Sequence, residues 1–243
     1  MSNYMDFTST NPNVNVILVD KSGSMSGDRE RVLKGLEGYR RNFLEFPEAG
    51  SIAVSICTFS DYVELGDFNQ VREMERISYH PNGGTALNYA IITAANHLVK
   101  YMEEIEKVKK CSPVASFIVF SDGEPCGDKN TDEEGKAAID ELNFLGVNTI
   151  FVPFGKAIKE EYGSKKGFKA TRQIGTGEEA VEFFAEELSR FSKEQSKLNV
   201  GIGQEFFSKT GESKTGESKT GNSSNYSNTA NQALKKDAWW NKF

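Results

Sequence analysis

Short apolar runs alternate with longer stretches of helical period along most of the chain. Residues 14–19 (VNVILV) are almost wholly apolar and rich in β-branched side chains, which is typical of a strand buried on both faces of a parallel sheet. The stretch that follows, 27–46, carries apolar residues three and four positions apart and predicts a helix. Further strand-like runs occur at 51–60, 114–122 and 147–155, so the pattern indicates strands that recur with helices between them.

The remaining segments complete this alternation. Residues 85–110, 131–146 and 177–196 are predicted as helices, and 168–174 as a last strand. The second helix has clear end signals, with Thr131 as N-cap, Glu134 completing a capping box and Gly146 as the stop. Residues 62–71 begin too soon after the strand before them for a parallel crossover, so they are predicted as an antiparallel edge strand reached through a hairpin. The sequence therefore predicts an α/β fold: a doubly wound, mostly parallel sheet with one antiparallel edge strand and helices on both faces.

The character of the sequence changes near residue 199. The pattern divides the chain into an N-terminal extension (1–12), a folded domain (13–198), a linker (199–232) and a C-terminal peptide (233–243). The linker contains the repeat SKTGE, SKTGE, SKTGN and has few apolar residues, so we expect it to be flexible.

Composition narrows the possible functions. The chain has 243 residues and a formal net charge of −6, and the excess of acidic residues lies before residue 196. An acidic domain argues against nucleic acid as the main ligand. No apolar run is long enough for a transmembrane helix, and the N-terminus lacks the basic start and apolar core of a signal peptide. Three cysteines without a CxxC spacing favour reduced thiols, so we expect a cytoplasmic location.

Oxygen-bearing side chains stand where predicted strands end and a predicted helix begins. Because the carboxyl ends of parallel strands meet at one edge of a sheet, we expect these side chains to converge there. A site of carboxylates and hydroxyls, with no His or Cys, suits a hard divalent cation. The predicted metal ligands are Asp20, Ser22, Ser24, Thr85 and Asp122.

These residues resemble a known motif. Asp20-x-Ser22-x-Ser24, Thr85 in GGTAL and Asp122 in FSDGEP are similar to the metal-ion-dependent adhesion site (MIDAS) of von Willebrand factor A domains. The resemblance implies that the hydroxyls of Ser22, Ser24 and Thr85 bind the cation directly, while Asp20 and Asp122 act directly or through water. It also implies Mg²⁺, with Mn²⁺ or Ca²⁺ as alternatives, and an open coordination position for the carboxylate of a protein partner. Among the subfamilies, small intracellular bacterial A domains of the tellurium-resistance-associated type are the most similar.

Simpler interpretations of the same residues remain open. Asp20 and Ser22 are also typical of a turn that caps a helix, and Thr85 of a helix N-cap. Asp122 and Gly123 together are typical of a plain turn. His80 is interpreted as a solvated loop residue without a role.

The sequence thus predicts a cytoplasmic, non-enzymatic module that binds a partner protein through a metal ion. The resemblance suggests a bacterial stress response or a signalling system with kinases and phosphatases. One rival is a subunit of an ATP-driven chelatase-like complex or a metal-dependent hydrolase, although the serines lack a recognisable base and no phosphate-binding loop is present. The other rival is a secreted adhesin.

The C-terminal peptide carries both tryptophans of the chain. Trp239, Trp240 and Phe243 stand among lysines, which predicts a second contact with a partner through a short recognition peptide. The alternatives are docking on the chain's own domain, contact with a membrane surface, or no function.

Overall fold

A seven-stranded sheet forms the centre of the part of the chain that the structure describes. The computed structural model describes residues 12–74, 76–198 and 206–207. The strands are β1 (Asn13–Asp20), β2 (Ile52–Phe59), β3 (Val63–Glu64), β4 (Asn69–Gln70), β5 (Val114–Ser121), β6 (Asn148–Pro153) and β7 (Ala170–Thr171).

Helices cover both faces of this sheet. The helices are α1 (Arg29–Arg41), α2 (Leu87–Lys109), α3 (Asp132–Phe144), α4 (Glu160–Lys166), α5 (Gly177–Glu182) and α6 (Ser189–Leu198). A π-helical segment, Phe183–Leu188, joins α5 to α6, and short 3₁₀ turns lie at Gly23–Asp28, Pro47–Ser51 and Val71–Glu73. The capping box at the start of α3 is confirmed, because the Thr131 side chain accepts the Glu134 N–H and the Glu134 side chain accepts the Thr131 N–H.

The strand order confirms the predicted fold class. The order is β3-β2-β1-β5-β6-β7, and β4 also pairs with β2. β1, β2, β5, β6 and β7 pair in parallel, whereas β3 and β4 run antiparallel to β2. β1 lies between β2 and β5, and all eight of its residues are buried. This position explains why its sequence is apolar on both faces.

Two local features differ from the prediction. The edge strand expected over 62–71 forms two short pieces, and between them Gly66 comes so close to β2 that a Cβ atom there would overlap the carbonyl oxygen of Ile56. Helix α4 was missed, since seven residues with little apolar periodicity give almost no sequence signal.

Helix α1 packs very closely on the helix that closes the domain. Two glycines of α1 face this contact. A Cβ atom on Gly35 would lie 3.1 Å from Cβ of Phe184, and one on Gly38 would lie 2.6 Å from Cβ of Ala185. The glycines therefore allow the two helix backbones to approach over a layer of buried phenylalanines that includes Phe183 and Phe191.

The apolar packing continues to residue 207. Phe207 is buried against the rings of Phe183 and Phe191, and Phe206 packs edge-on against Phe191. The rest of the segment predicted as a linker lies outside the described residues, as does the C-terminal peptide. None of the helices in the described ranges is long and apolar enough to cross a membrane.

The Gly38 contact generates a stability prediction. Substitution Gly38→Ala is expected to lower the free energy of unfolding by about 1 kcal/mol. Overpacking a tight contact costs about 1–3 kcal/mol, and the better helix propensity of alanine returns at most about 1 kcal/mol. Chemical denaturation measures the difference, with Lys34→Ala on the exposed side of α1 as the control that should stay within about 0.5 kcal/mol of wild type. A Gly38→Ala protein as stable as wild type would contradict the close packing.

Candidate metal-binding site

The candidate site lies at the carboxyl ends of the two central strands. Asp20 is the last residue of β1, Ser121 is the last residue of β5, and Asp122 follows it. The parallel register places Val19 beside Phe120. Two neighbouring strands therefore deliver their terminal carboxylates to one edge of the sheet, as predicted.

The Asp20 carboxylate is fully buried and accepts two hydrogen bonds. The backbone N–H of Ser22 donates to its Oδ1 at 2.7 Å, and the hydroxyl of Ser121 donates to its Oδ2 at 2.6 Å. The Tyr79 hydroxyl donates to the main-chain carbonyl of Asp20 at 2.5 Å. These bonds hold the end of β1 and turn the following loop toward β5.

A chain of hydroxyls connects the two carboxylates. The Oγ atoms of Ser22 and Ser24 lie 3.0 Å apart, and the Ser24 hydroxyl donates to Oδ1 of Asp122 at 2.8 Å. Ser22 is buried, whereas Ser24 is exposed. The site therefore runs from a buried carboxylate to the protein surface.

The loop before α2 brings Thr85 to the same place. The backbone of Thr85 pairs with that of Cys126 in both directions, at 3.1 and 2.9 Å, which fixes it against the loop after β5. A Cβ atom on Gly123 would lie 3.5 Å from the Thr85 Oγ1, so this hydroxyl lies beside the backbone that follows Asp122. Because main-chain bonds hold Thr85 in place, its hydroxyl is not needed for that purpose and can act as a ligand.

Burial dominates the electrostatics of the two acids. It raises the pKa of the Asp20 carboxyl from its ordinary 3.8 to about 6, although the hydrogen bonds from Ser121 and Ser22 act in the opposite direction. Burial also raises the pKa of Asp122, against the hydrogen bond from Ser24. The negative charge of Asp122 adds to the rise in the pKa of Asp20. The two carboxylates thus repel each other in a partly dry setting.

This arrangement fits a divalent cation. Within the described residues neither Asp20 nor Asp122 forms an ion pair with a lysine or arginine. The largest influences on their pKa values are burial, hydrogen bonds and other acids. A buried carboxylate needs compensation, and a hard cation held by oxygen atoms supplies it. Within the described residues no three His, Cys, Asp or Glu side chains form a metal-binding group, so hydroxyls must complete any such site. Hydroxyls are what Ser22, Ser24 and Thr85 provide.

The structure thus brings the five predicted site residues to one edge of the sheet. Four of them form a series of hydrogen bonds, from Asp20 to Ser22, from Ser22 to Ser24 and from Ser24 to Asp122. The Thr85 hydroxyl lies beside the backbone that follows Asp122. The interpretation of Thr85 as a helix N-cap is wrong, since Ala86 is the residue that precedes α2. Trp239, Trp240 and Phe243 lie outside the described residues.

Sequence reasoning missed one residue that shapes the site. The carboxylate of Asp61, just after β2, accepts the backbone N–H of Gly84 at 2.9 Å. A signal for it was present, because the triplet Phe-Ser-Asp occurs twice, at 59–61 and at 120–122. Both copies end strands that pair with β1, so they lie on either side of Asp20.

Solved structures with similar folds include one protein with a metal-occupied MIDAS motif. The pilus adhesin SpaC of Lactobacillus rhamnosus GG has a TM-score of 0.60 at 10% identity, over 75% of this chain and 31% of SpaC. The ArnB paralog VWA2 of Sulfolobus acidocaldarius has a TM-score of 0.51 at 20% identity, over 73% and 45%. Proximal thread matrix protein 1 of the mussel byssus, solved with a zinc-occupied MIDAS motif, has a TM-score of 0.54 at 13% identity, over 78% and 46%.

The chain has the von Willebrand factor A fold. At these identities the likeness concerns the fold alone, and the chain spans less than half the length of each of the three proteins. No protein-family model matches the sequence, and no curated protein matches it.

The raised pKa of Asp20 predicts how stability depends on pH in the absence of divalent cations. The pKa of Asp20 is higher in the folded state than in the unfolded state. The stability that the protonated Asp20 contributes is therefore fully present below about pH 4 and is lost as the pH rises through about 6. Relative to an Asp20→Asn variant, the free energy of unfolding of wild type is expected to fall by about 2 kcal/mol between about pH 4.5 and pH 7.5. Urea denaturation at both pH values measures it, and a constant difference between the two proteins would contradict the buried, uncompensated carboxylate.

Proposed function

We propose that this chain is a protein-binding module that captures an acidic side chain of a partner through a bound divalent cation. The observation that carries the proposal is the convergence of three hydroxyls and two carboxylates at one edge of the sheet, with a buried Asp20 that forms no ion pair within the described residues. The von Willebrand factor A fold supports it, because solved proteins with this fold include an adhesin and a protein with a zinc-occupied MIDAS motif.

The five residues have two different roles in the proposed site. The hydroxyls of Ser22, Ser24 and Thr85 and the carboxylate of Asp122 are placed to hold the cation. Both oxygens of Asp20 already accept hydrogen bonds, so Asp20 supplies negative charge beneath the site and orients the loop after β1. When bound, a divalent cation there provides an electrophilic position for a partner carboxylate.

Mg²⁺ is the cation that we propose. The donors are oxygen atoms, and few of them come from the protein, which suits an ion that retains several waters. Ca²⁺ takes six to eight oxygen ligands and finds fewer protein donors here. Mn²⁺ accepts the same donors and is the practical spectroscopic substitute.

We further propose that the module works without catalysis and in the cytoplasm. The three cysteines of the described domain are free thiols, which favours a reducing compartment. A role in bacterial stress response or kinase and phosphatase signalling extends this proposal on the sequence resemblance alone. The SpaC likeness favours an extracellular adhesin as the second candidate, and both candidates use the same chemistry at the site.

The first prediction of this proposal concerns the metal alone. Mg²⁺ or Mn²⁺ at about 100 times its Kd is expected to raise the free energy of unfolding by about 2.7 kcal/mol, because a ligand that binds only the folded state stabilises it. Thr85→Ala should lose most of this stabilisation, and Thr85→Ser, which keeps the hydroxyl, should retain it. Thermal denaturation with and without EDTA gives the comparison. Equal stabilisation of wild type and Thr85→Ala would exclude Thr85 as a ligand.

The second prediction concerns the partner. Proteins captured from a native lysate by the wild-type chain in Mg²⁺ should be absent with EDTA and with Asp20→Ala or Thr85→Ala. Ser164→Ala, on the exposed surface of α4, is the control and should capture as wild type does. Substituting the acidic residues of a captured partner then tests the carboxylate contact. Binding that survives both EDTA and Asp20→Ala would overturn the proposed function.

A further inference from the structure

The loop that carries Thr85 is fastened at several points to the strand ends around it. Its backbone N–H groups at Asn82 and Ala86 donate to the carbonyls of Lys21 and Ser60, both at 2.8 Å, and the Gly83 carbonyl accepts the Gly23 N–H at 3.0 Å. These bonds tie the loop to the ends of β1 and β2. Between Asn82 and Thr85, the Gly83 carbonyl is thus held by the main chain, whereas the Gly84 N–H is held by a side chain.

That side chain belongs to Asp61. Its Oδ1 accepts the Gly84 N–H at 2.9 Å, and a Cβ atom on Gly84 would lie 2.7 Å from the same oxygen. A Cβ atom on Gly83 would overlap the other oxygen, and Gly83 has a φ of +82°, in the left-handed region that favours glycine. The carboxylate therefore lies against the Gly-Gly backbone, and a side chain at either glycine would collide with it.

The contact is one residue from the candidate ligand. The Gly84 amide that Asp61 holds is part of the peptide that leads into Thr85, whose own N–H and carbonyl are bound to Cys126. Asp61 thus fixes the N-terminal side of Thr85, and Cys126 fixes its backbone from the opposite loop. With both in place the Thr85 hydroxyl is directed to the edge where Asp122 begins its loop.

The two copies of the Phe-Ser-Asp triplet contact different parts of the candidate site. The copy on β5 places Ser121 on the Asp20 carboxylate and Asp122 in the candidate site. The copy on β2 places the Ser60 carbonyl and the Asp61 carboxylate on the Thr85 loop. The same triplet on the two strands that flank β1 therefore serves the site on one side and its supporting loop on the other.

We propose that Asp61 is the positioning residue of the site, and that its hydrogen bond to the Gly84 amide sets the affinity for the divalent cation through Thr85. This inference rests on the proposed metal site. Asp61 acts on the geometry of a ligand and is not itself a ligand. Groups that orient metal ligands typically change metal affinity by about 10–100-fold when they are removed, and a tenfold loss is expected here.

The test compares Asp61→Ala and Asp61→Asn with wild type by titration calorimetry with Mn²⁺. Asp61→Ala should weaken Mn²⁺ binding about tenfold. Asp61→Asn keeps an oxygen that can accept the Gly84 N–H but removes the charge, so it should stay within about threefold of wild type if the hydrogen bond matters most. Asp67→Ala, which removes an exposed acid of the neighbouring loop, controls for the loss of one negative charge and should leave the affinity unchanged.

Amide hydrogen exchange of Gly84, followed by NMR in metal-free protein, tests the contact without any metal. Its exchange should be slow in wild type and Asp61→Asn and at least tenfold faster in Asp61→Ala. Wild-type affinity in Asp61→Ala, an equal loss in Asp61→Asn and Asp61→Ala, or unchanged Gly84 exchange would each overturn the inference. Failure of wild type itself to bind Mn²⁺, with the exchange pattern intact, would instead refute the proposed metal site on which the inference rests.

Discussion

A buried carboxylate at the end of the central strand is the feature on which the rest of this structure depends. Asp20 ends β1 with no solvent exposure, and burial holds its pKa near 6 despite two donated hydrogen bonds. An isolated buried charge is costly, and proteins retain one where a partner or a metal compensates it. The loops around Asp20 place hydroxyls and a second carboxylate near it, and the buried Lys21 that follows it pairs with Glu64 instead. The domain thus maintains a local deficit of positive charge at one edge of its sheet.

The sheet supplies the geometry that this deficit requires. Because β1 lies between two parallel neighbours, three strand ends meet at the same level, and the loops that follow them can bond to one another. Main-chain bonds carry most of this cross-linking, including the pairing of Thr85 with Cys126 and of Asn82 with Lys21. Backbone bonds leave the hydroxyl side chains available. The loops are therefore joined mainly through their backbones, while the serine hydroxyls hydrogen-bond to one another and to the two carboxylates.

Sequence patterns predicted some elements of the fold and not others. Runs of β-branched residues predicted the buried strands, since burial on both faces leaves few other choices of residue. The helix after Thr131 was predicted with its capping box and its stop at Gly146, because both signals are local. The split edge strand was not predicted. At the break Gly66 approaches Ile56, a contact between segments that no local pattern encodes.

The sequence by itself determined the alternation of strands and helices, and it determined which oxygen-bearing residues stand at strand ends. Those properties follow from periodicity and residue type, which are local. Only the tertiary structure decided that Ser24 bonds to Asp122 across 98 positions, that the Ser121 hydroxyl donates to Asp20, and that Asp61 holds the Gly-Gly loop. Those contacts depend on which strands become neighbours and in what register. Strand order is set by the packing of the whole domain, so residues far apart in the chain acquire their roles only when it folds.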